Sequence, residues 1–172
     1  MRLEVVGIQE DSNLSITVRN HMSALQSLLI VSVLFIGILI WFQFSIDAII
    51  GVSILWGIDA ITSLYLHFEY LAKNKGEEYE VRDTELIRRK GVKETTYRND
   101  EIEKIIVYLS PALYKNSNFH FLAIEGYHYA VVKLKTGEEL ILTCLLAPRI
   151  DKSLKQMRGV LFEKRKRFFC NI

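Results

Sequence analysis

Apolar residues are concentrated in one long region of the chain. Residues 22–46 contain no Asp, Glu, Lys or Arg, and as a helix this stretch is long enough to cross a hydrocarbon core of about 30 Å. A second, largely apolar stretch continues to Leu71. One unbroken helix over both would reach about 75 Å, more than twice the hydrocarbon thickness. The pattern therefore predicts a transmembrane hairpin of two helices, at about residues 22–43 and 46–71.

Polar residues mark the turn of this hairpin. Gln43, Ser45 and Asp47 cluster between the two apolar stretches. Ser45 suits a helix N-cap, and Asp47 would lie favourably in the first turn of the second helix. A cleaved signal peptide is the alternative interpretation, but five charged residues precede the apolar run and no small-residue cleavage site follows it.

The distribution of basic residues predicts the orientation of the hairpin. Of the 22 Lys and Arg residues, 20 lie from Lys73 onward, and the hairpin tip has none. The positive-inside rule then places both termini in the cytoplasm. Cys144 and Cys170 have neither the spacing of a disulfide framework nor that of a metal site, which fits a reducing compartment. We expect a multi-pass protein of the inner, cytoplasmic membrane.

Asp59 is an ionisable residue inside the second apolar stretch. Such residues are costly in the hydrocarbon, so a functional role has to be considered. Thr62 and Ser63 follow one helical turn later, and an antiparallel helix would bring Ser27 or Ser32 to a similar depth. We favour a polar contact of Asp59, Thr62 and Ser63 between helices or protomers. The alternative is an ion or proton pathway, for which the sequence offers no second ionisable residue at matching depth.

The chain after the apolar region changes to the period of β-strands. Alternation begins at Tyr79 and Val81, Lys90-Gly91 suits a tight turn, and Thr136-Gly137 is the turn of the clearest hairpin. A helical period then covers about residues 149–158. Strands followed by one helix predict a small sandwich or barrel whose open end the C-terminal helix closes.

A set of turn and core positions in this region carries a resemblance to a known family. These residues are Tyr79, Val81, Asp83, Ile87, Arg88, Arg89, Gly91, Tyr97, Asp100 and Ile102. With the preceding hairpin, they make the chain similar to bacterial membrane-linked PH-like domain proteins over about residues 22–160. The resemblance implies an α+β membrane protein, in which a transmembrane hairpin (residues 22–72) is followed by a cytoplasmic PH-like domain (residues 73–172). Because the matching positions determine fold rather than chemistry, it implies no activity.

Both ends of the chain allow two interpretations. Residues 1–21 are predicted to be cytoplasmic and form either a β-hairpin that extends the sheet or a flexible tail. The C-terminal segment is either a membrane-surface contact, with basic residues on anionic lipid and aromatic residues at the interface, or a terminal strand or solvated tail. The residues concerned are Lys164, Arg165, Lys166, Arg167, Phe168 and Phe169.

Candidate chemistry is sparse. The four histidines lack metal-ligand spacing, and the sequence carries no catalytic or cofactor motif. An excess of 6 basic over acidic residues from Lys73 onward, without a recognised motif, argues against nucleic acid. We expect a non-enzymatic binding or assembly module whose partners are membrane lipid, a protein, or a second copy of the chain. The candidate contacts for an anionic headgroup or acidic partner are Arg88, Arg89, Lys90 and Lys93, for which a solvated hairpin tip is the alternative.

Overall fold

Two long helices and two four-stranded sheets make up most of the described part of the chain. The computed structural model describes residues 13–117 and 121–172. The chain is therefore α+β, as predicted. The first part of the predicted N-terminal hairpin, residues 1–12, lies outside the described residues.

The helices α1 (Val18–Trp41) and α2 (Ile46–Asn74) form an antiparallel pair. Thr17 caps α1 by accepting a hydrogen bond from the Asn20 amide, and Ser45 caps α2 through the Ala48 amide. The turn between them uses Gln43 and Phe44 at positive φ, 53° and 55°. Each helix extends further at its domain end than the apolar pattern indicated, because polar residues there are buried against the rest of the protein. Both are long and apolar enough to cross a membrane.

The first sheet has the antiparallel order β1-β2-β3-β4. Its strands are β1 (Asn13–Ser15), β2 (Glu77–Val81), β3 (Glu85–Lys90) and β4 (Lys93–Arg98). β1 pairs with β2, with Ser15 opposite Glu78. The two helices are therefore inserted between neighbouring strands of one sheet, so that the domain includes residues on both sides of the hairpin.

The second sheet has the order β7-β6-β5-β8. Its strands are β5 (Ile102–Leu109), β6 (Tyr129–Leu134), β7 (Glu139–Thr143) and β8 (Leu161–Lys166). The hairpin of β6 and β7 turns through Gly137 at φ 90°, where the sequence predicted a turn. β8 pairs in parallel with β5, so Lys164, Arg165 and Lys166 belong to a strand rather than to a tail.

The second sheet is buried on both faces. Ala130 and Val132 point into the core that it shares with the first sheet, whereas Tyr129 and Val131 point to a second cluster with Leu66 and Tyr70 of α2. Because successive side chains of a strand point to opposite faces, one strand serves both clusters. The helices thus form a third layer on the sandwich.

The predicted closing helix differs from the observed one. A one-turn helix, α3 (Pro111–Tyr114), follows β5. In place of a helix over residues 149–158, the structure has the short helix α4 (Ile150–Leu154), followed by turns and then β8. The described strands form two separate sheets rather than a hydrogen-bonded barrel. Gly159, at φ 76°, adopts a conformation that favours glycine in the turn that leads into β8.

Asn74, the last residue of α2, joins the helix to β7. Its side-chain nitrogen donates to the Ile141 carbonyl at 2.8 Å, and its side-chain oxygen accepts from the Thr143 amide at 2.9 Å. The side chain is fully buried. One amide therefore replaces the backbone partner that this edge of the second sheet lacks.

Replacement of Asn74 by Ala should destabilise the protein markedly. It leaves the partly buried Ile141 carbonyl and the buried Thr143 amide without their partner, at up to about 1–3 kcal/mol for each group. Thermal unfolding in detergent, followed by circular dichroism, measures the loss. Lys73→Ala, at the exposed neighbouring position, is the control and should change stability by less than about 0.5 kcal/mol. Equal stability of the two variants would contradict the role of Asn74.

Candidate functional site

The basic residues of β3 separate onto the two faces of the first sheet. Arg88 and Lys90 lie with Lys93 around a shallow pocket of about 310 Å³, which Thr95, Tyr97 and Glu138 complete. Arg89 points to the opposite face, where it pairs with Glu80 at 2.8 Å and Glu94 at 2.7 Å. Three of the four predicted basic residues therefore share one site, and Arg89 is not part of it.

Glu77 neutralises part of this basic pocket. One of its oxygens lies 2.6 Å from the Arg88 guanidinium and 3.1 Å from Lys90 Nζ, and the other accepts from the Tyr79 hydroxyl at 2.8 Å. Burial opposes ionisation of this carboxyl, but the hydrogen bonds from Arg88, Tyr79 and Lys90 outweigh it and lower its pKa. The Glu77 carboxylate is therefore ionised near neutral pH, and its ion pair positions the Arg88 guanidinium.

Lys93 is an exposed residue of the pocket that no carboxylate pairs with among the described residues. In the β3–β4 register, Lys90 lies opposite Lys93 across the tight turn. In the β2–β3 register, Lys90 lies opposite Glu77, the first residue of β2. The register therefore places this turn at the end of the sheet where the chain leaves α2. An anionic group bound there would meet a charge that Glu77 does not already balance.

Asp59 binds the domain rather than the facing helix. Its two carboxylate oxygens accept from the Ala123 amide at 3.1 and 2.9 Å. Ala123 begins the 3₁₀ helix Ala123–Gly126, hereafter the docking turn. Thr62 instead donates to the Ile58 carbonyl of its own helix at 2.6 Å. Ser63 is buried, and its hydroxyl has no hydrogen-bond partner among the described residues.

Both helices contact the docking turn. A Cβ added at Gly126 would lie 2.9 Å from Ser27 Oγ, so a larger residue there would require the Ser27 side chain to move. Further along, His21 Nδ1 lies 3.0 Å from His67 Nε2, and His67 Nδ1 lies 3.2 Å from the Tyr127 hydroxyl. A polar chain therefore runs from α1 through α2 to the domain.

Sequence reasoning missed most of these docking residues. Asn20, His67 and Asn74 were polar signals at the ends of apolar helices, and each is buried in the structure. Asn20 donates to the carbonyls of Ser15 and Leu146 at 3.0 and 2.9 Å, which ties α1 to both neighbouring segments. Polar residues near a helix end are also common at exposed sites, so the pattern alone did not identify their partners.

The C-terminal segment packs against the domain and α2. Lys164 pairs with the buried Asp151 at 2.8 Å, and Arg167 donates to the Tyr129 hydroxyl. Phe169 stacks on Tyr65 of α2 with 6.5 Å between ring centroids. Lys164, Arg165, Lys166 and Phe168 are exposed, but Arg165 pairs with Glu163 at 2.8 Å as Lys164 does with Asp151. Lys166 and Phe168 are therefore the predicted surface residues that are exposed without an ion pair or ring contact among the described residues.

The described residues offer little for metal or thiol chemistry. Within residues 13–117 and 121–172, no group of three His, Cys, Asp or Glu side chains is placed to hold a metal ion. Cys144 and Cys170 are buried and free. Burial raises the pKa of each thiol to about 12, so both stay protonated near neutral pH and are poor nucleophiles.

Comparison with known proteins adds one match. Residues 15–152 match the model of a family described as PH domain. The matched region begins within β1 and ends within α4, so it includes the helical hairpin as well as most of the two sheets. No curated protein and no solved structure matches the chain.

Asp59→Ala should destabilise the protein by about 1–3 kcal/mol, because the buried Ala123 amide loses its acceptor. Asp59→Asn keeps one acceptor oxygen and should cost less. Thermal unfolding in detergent measures both, and Thr62→Ala, at a half-buried position where the hydroxyl donates to its own helix, serves as the control. Wild-type stability of Asp59→Ala would show that the hydrogen bond to Ala123 does not hold the docking turn.

Acid should destabilise the protein partly through Glu77. Since the folded-state pKa of Glu77 lies below its ordinary value of 4.5, its contribution is present above pH 4.5 and is lost as pH falls through the folded pKa. Glu77→Gln should therefore flatten the fall in unfolding free energy below pH 4.5 and lower stability at pH 7 by about 1–3 kcal/mol. Denaturant titrations across pH measure this. The exposed Glu94→Gln variant should keep the wild-type profile, and an unchanged slope in Glu77→Gln would contradict the prediction.

Proposed function

The chain belongs to the PH domain family, and from this premise we propose that it is a non-enzymatic, membrane-anchored module that binds or assembles partners at the cytoplasmic membrane face. The observation that carries the proposal is the insertion of the hairpin between β1 and β2. Two strands of one sheet hold the ends of the anchor. The domain is therefore confined near the bilayer in a defined orientation.

The surface of the hairpin supports the anchoring role. Large apolar side chains on α1 and α2 are exposed along the outer part of both helices, among them Val33, Ile40, Ile50 and Leu55. Exposure of such a large apolar surface to water is unfavourable in free energy, whereas contact with lipid tails is not. The excess of basic residues on the domain side supports a multi-pass protein of the cytoplasmic membrane with both termini in the cytoplasm.

The binding site that we favour is the pocket of Arg88, Lys90 and Lys93. Two positive charges share Glu77, and Glu138 lies 3.7 Å from Arg88. The pocket is thus only weakly basic, which suits a low-affinity contact with an anionic group. Confinement to the membrane raises the effective concentration of partners in the same membrane, so a weak site is still occupied.

An acidic protein partner, including a second copy of the chain, is the first candidate occupant. Anionic lipid headgroups are the second candidate. The position of the β3–β4 turn is the observation that supports this alternative. Lys90 and Lys93 flank the fully exposed Val92 at the end of the sheet where the chain leaves α2. Basic residues near an anionic leaflet contribute about 1 kcal/mol each.

Transport through Asp59 has weaker support. Both carboxylate oxygens are engaged by the Ala123 amide, and the side chain is buried against the domain. A carboxylate that accepts a hydrogen bond from a buried backbone amide stabilises the fold. We therefore assign Asp59 to packing in this proposal.

The Lys90→Gln/Lys93→Gln variant should weaken ligand capture. We expect the purified full-length protein to lose most of its co-purified anionic phospholipid, measured by native mass spectrometry, if lipid is the ligand. If lipid content is unchanged and chemical cross-linking from membranes instead loses a protein partner, the assembly role is supported. Loss of neither would contradict a binding role for this pocket.

The matched control is Lys152→Gln/Lys155→Gln. It removes two charges at exposed positions in and beside α4, so it should leave capture unchanged. Equal losses in both variants would indicate a general charge effect. Every variant should stay in the membrane fraction after alkaline extraction, and release of the wild-type protein would contradict the anchor itself. Full-length protein is required because a fragment from Lys73 onward would lack β1 and the Leu66 and Tyr70 side chains that cover the second sheet.

A further inference from the structure

The strand β4 has a free edge beside the basic pocket. In the first sheet, β3 lies on one side of β4, and no strand lies on its other side among the described residues. We propose that an extended, acidic segment of a partner protein adds to this edge as an antiparallel strand. The inference rests on the proposed function, because it states how the acidic protein partner named there is held.

The backbone groups of alternate β4 residues point away from β3. Successive residues of an antiparallel strand direct their amide and carbonyl groups to opposite sides. The Asn99 amide donates to the Thr84 carbonyl at 3.0 Å, on the β3 side, whereas the Arg98 amide donates to Glu101 Oε2 at 2.7 Å. The even-numbered residues of β4 therefore direct their backbone groups outward.

Glu94 and Thr96 carry the open backbone groups of this edge. Their amides and carbonyls make no hydrogen bond outside the β3–β4 ladder among the described residues. Both side chains are exposed, and the register of β4 on β3 has no bulge. By contrast, Asn74 occupies the edge of β7, and the edge strand β1 has only three residues. A flat, exposed edge such as that of β4 accepts a further strand through its backbone.

Two unbalanced charges on β4 define the chemistry of the partner. Lys93 and Arg98 are exposed, and neither has a carboxylate within ion-pair distance in the part of the chain that the structure describes. Glu94 between them is already paired with Arg89 at 2.7 Å. An antiparallel partner strand places its first residue opposite Arg98 and its sixth opposite Lys93. Acidic side chains at those two positions therefore complement the edge.

The face of β4 that carries Lys93 also borders a groove. Thr95 and Tyr97 share this face and are half-buried. The groove, of about 440 Å³, continues past them to Thr136 and Glu138 at the β6–β7 turn. The second and fourth residues of the partner strand would lie opposite Tyr97 and Thr95. Apolar β-branched side chains suit these two positions, because they pack well against neighbours on a pleated surface.

The β4 strand of a second copy does not fit this edge within one membrane. Two antiparallel strands of one sheet are related by a two-fold axis normal to the sheet. Leu66 and Tyr70 pack α2 along the face of the second sheet, so this axis would point the hairpin of the copy away from the membrane that holds the first. The occupant that we assign is therefore a segment of a different protein.

A synthetic peptide tests strand addition to the full-length protein. The labelled peptide Asp-Val-Thr-Val-Thr-Glu, flanked by glycine, carries acidic residues at its first and sixth positions. Fluorescence anisotropy should show saturable binding to the protein in nanodiscs of neutral phosphatidylcholine. N-methylation of the third residue removes the amide that faces Thr96 and should weaken binding about tenfold. The matched control is N-methylation of the fourth residue, whose amide points away from β4 and whose change should leave the affinity nearly unchanged.

Variants of β4 make the same distinction on the protein. Thr96→Pro removes an outward amide that the ladder with β3 does not use, so proline is compatible with this edge position. It should weaken peptide binding about tenfold, whereas Thr96→Val keeps the amide and should bind normally. Arg98→Glu should weaken binding, and a peptide that begins with Lys instead of Asp should restore it. The methylated peptides are measured on the wild-type protein, so the test does not depend on the folding of Thr96→Pro.

Two results would overturn the inference. One is the absence of saturable binding by the unmodified peptide. The other is equal binding by the two methylated peptides, which would show that side chains alone make the contact. Both results leave the proposed function to be decided by capture in Lys90→Gln/Lys93→Gln. Conversely, unchanged capture in that variant, together with methylation-sensitive peptide binding, would overturn the pocket and support the strand.

Discussion

Every backbone polar group that the domain brings against the two helices has to find its partner within the protein. The helices present apolar side chains there, so the partners come from a few polar residues at defined positions. Asp59 accepts from the Ala123 amide, and Asn74 bonds one carbonyl and one amide at β7. Each contact orients a segment of domain backbone relative to α2. With the contacts of Asn20 and His67, they fix the position of the helices on the domain.

This requirement makes the helical hairpin and the domain one packed structure. β1 precedes α1 and β2 follows α2, yet the two strands pair directly. The second sheet covers the shared core with one face and contacts α2 with the other, through Tyr129 and Val131. A domain held at this many points does not rotate freely on a linker. The proposed partner is therefore met by a fixed surface, in which the β3–β4 turn sits at the end of the sheet that the hairpin enters.

The charges of the first sheet are organised in the same way. The predicted basic cluster is divided by the pleat of β3, because neighbouring residues of a strand point to opposite faces. Arg89 is bound by two carboxylates, while Arg88 and Lys90 share Glu77. Alternation alone indicated that Arg88 and Arg89 separate. It did not reveal Glu77 as the shared partner, since that pairing depends on the register between β2 and β3.

The amino-acid sequence by itself determined the local features: two apolar helices, a turn capped by Ser45, the hairpins at Gly91 and Gly137, and the family resemblance carried by turn and core positions. These follow from short-range periodicity, capping and the conformational freedom of glycine. Only the tertiary structure decided that β1 joins the first sheet as an edge strand beside β2, that the C-terminal basic segment is a parallel strand, and that Asp59 binds Ala123. Those outcomes depend on residues far apart in the chain, such as Lys104 opposite Leu161, whose pairing minimises unsatisfied backbone groups over the whole fold rather than within any one segment.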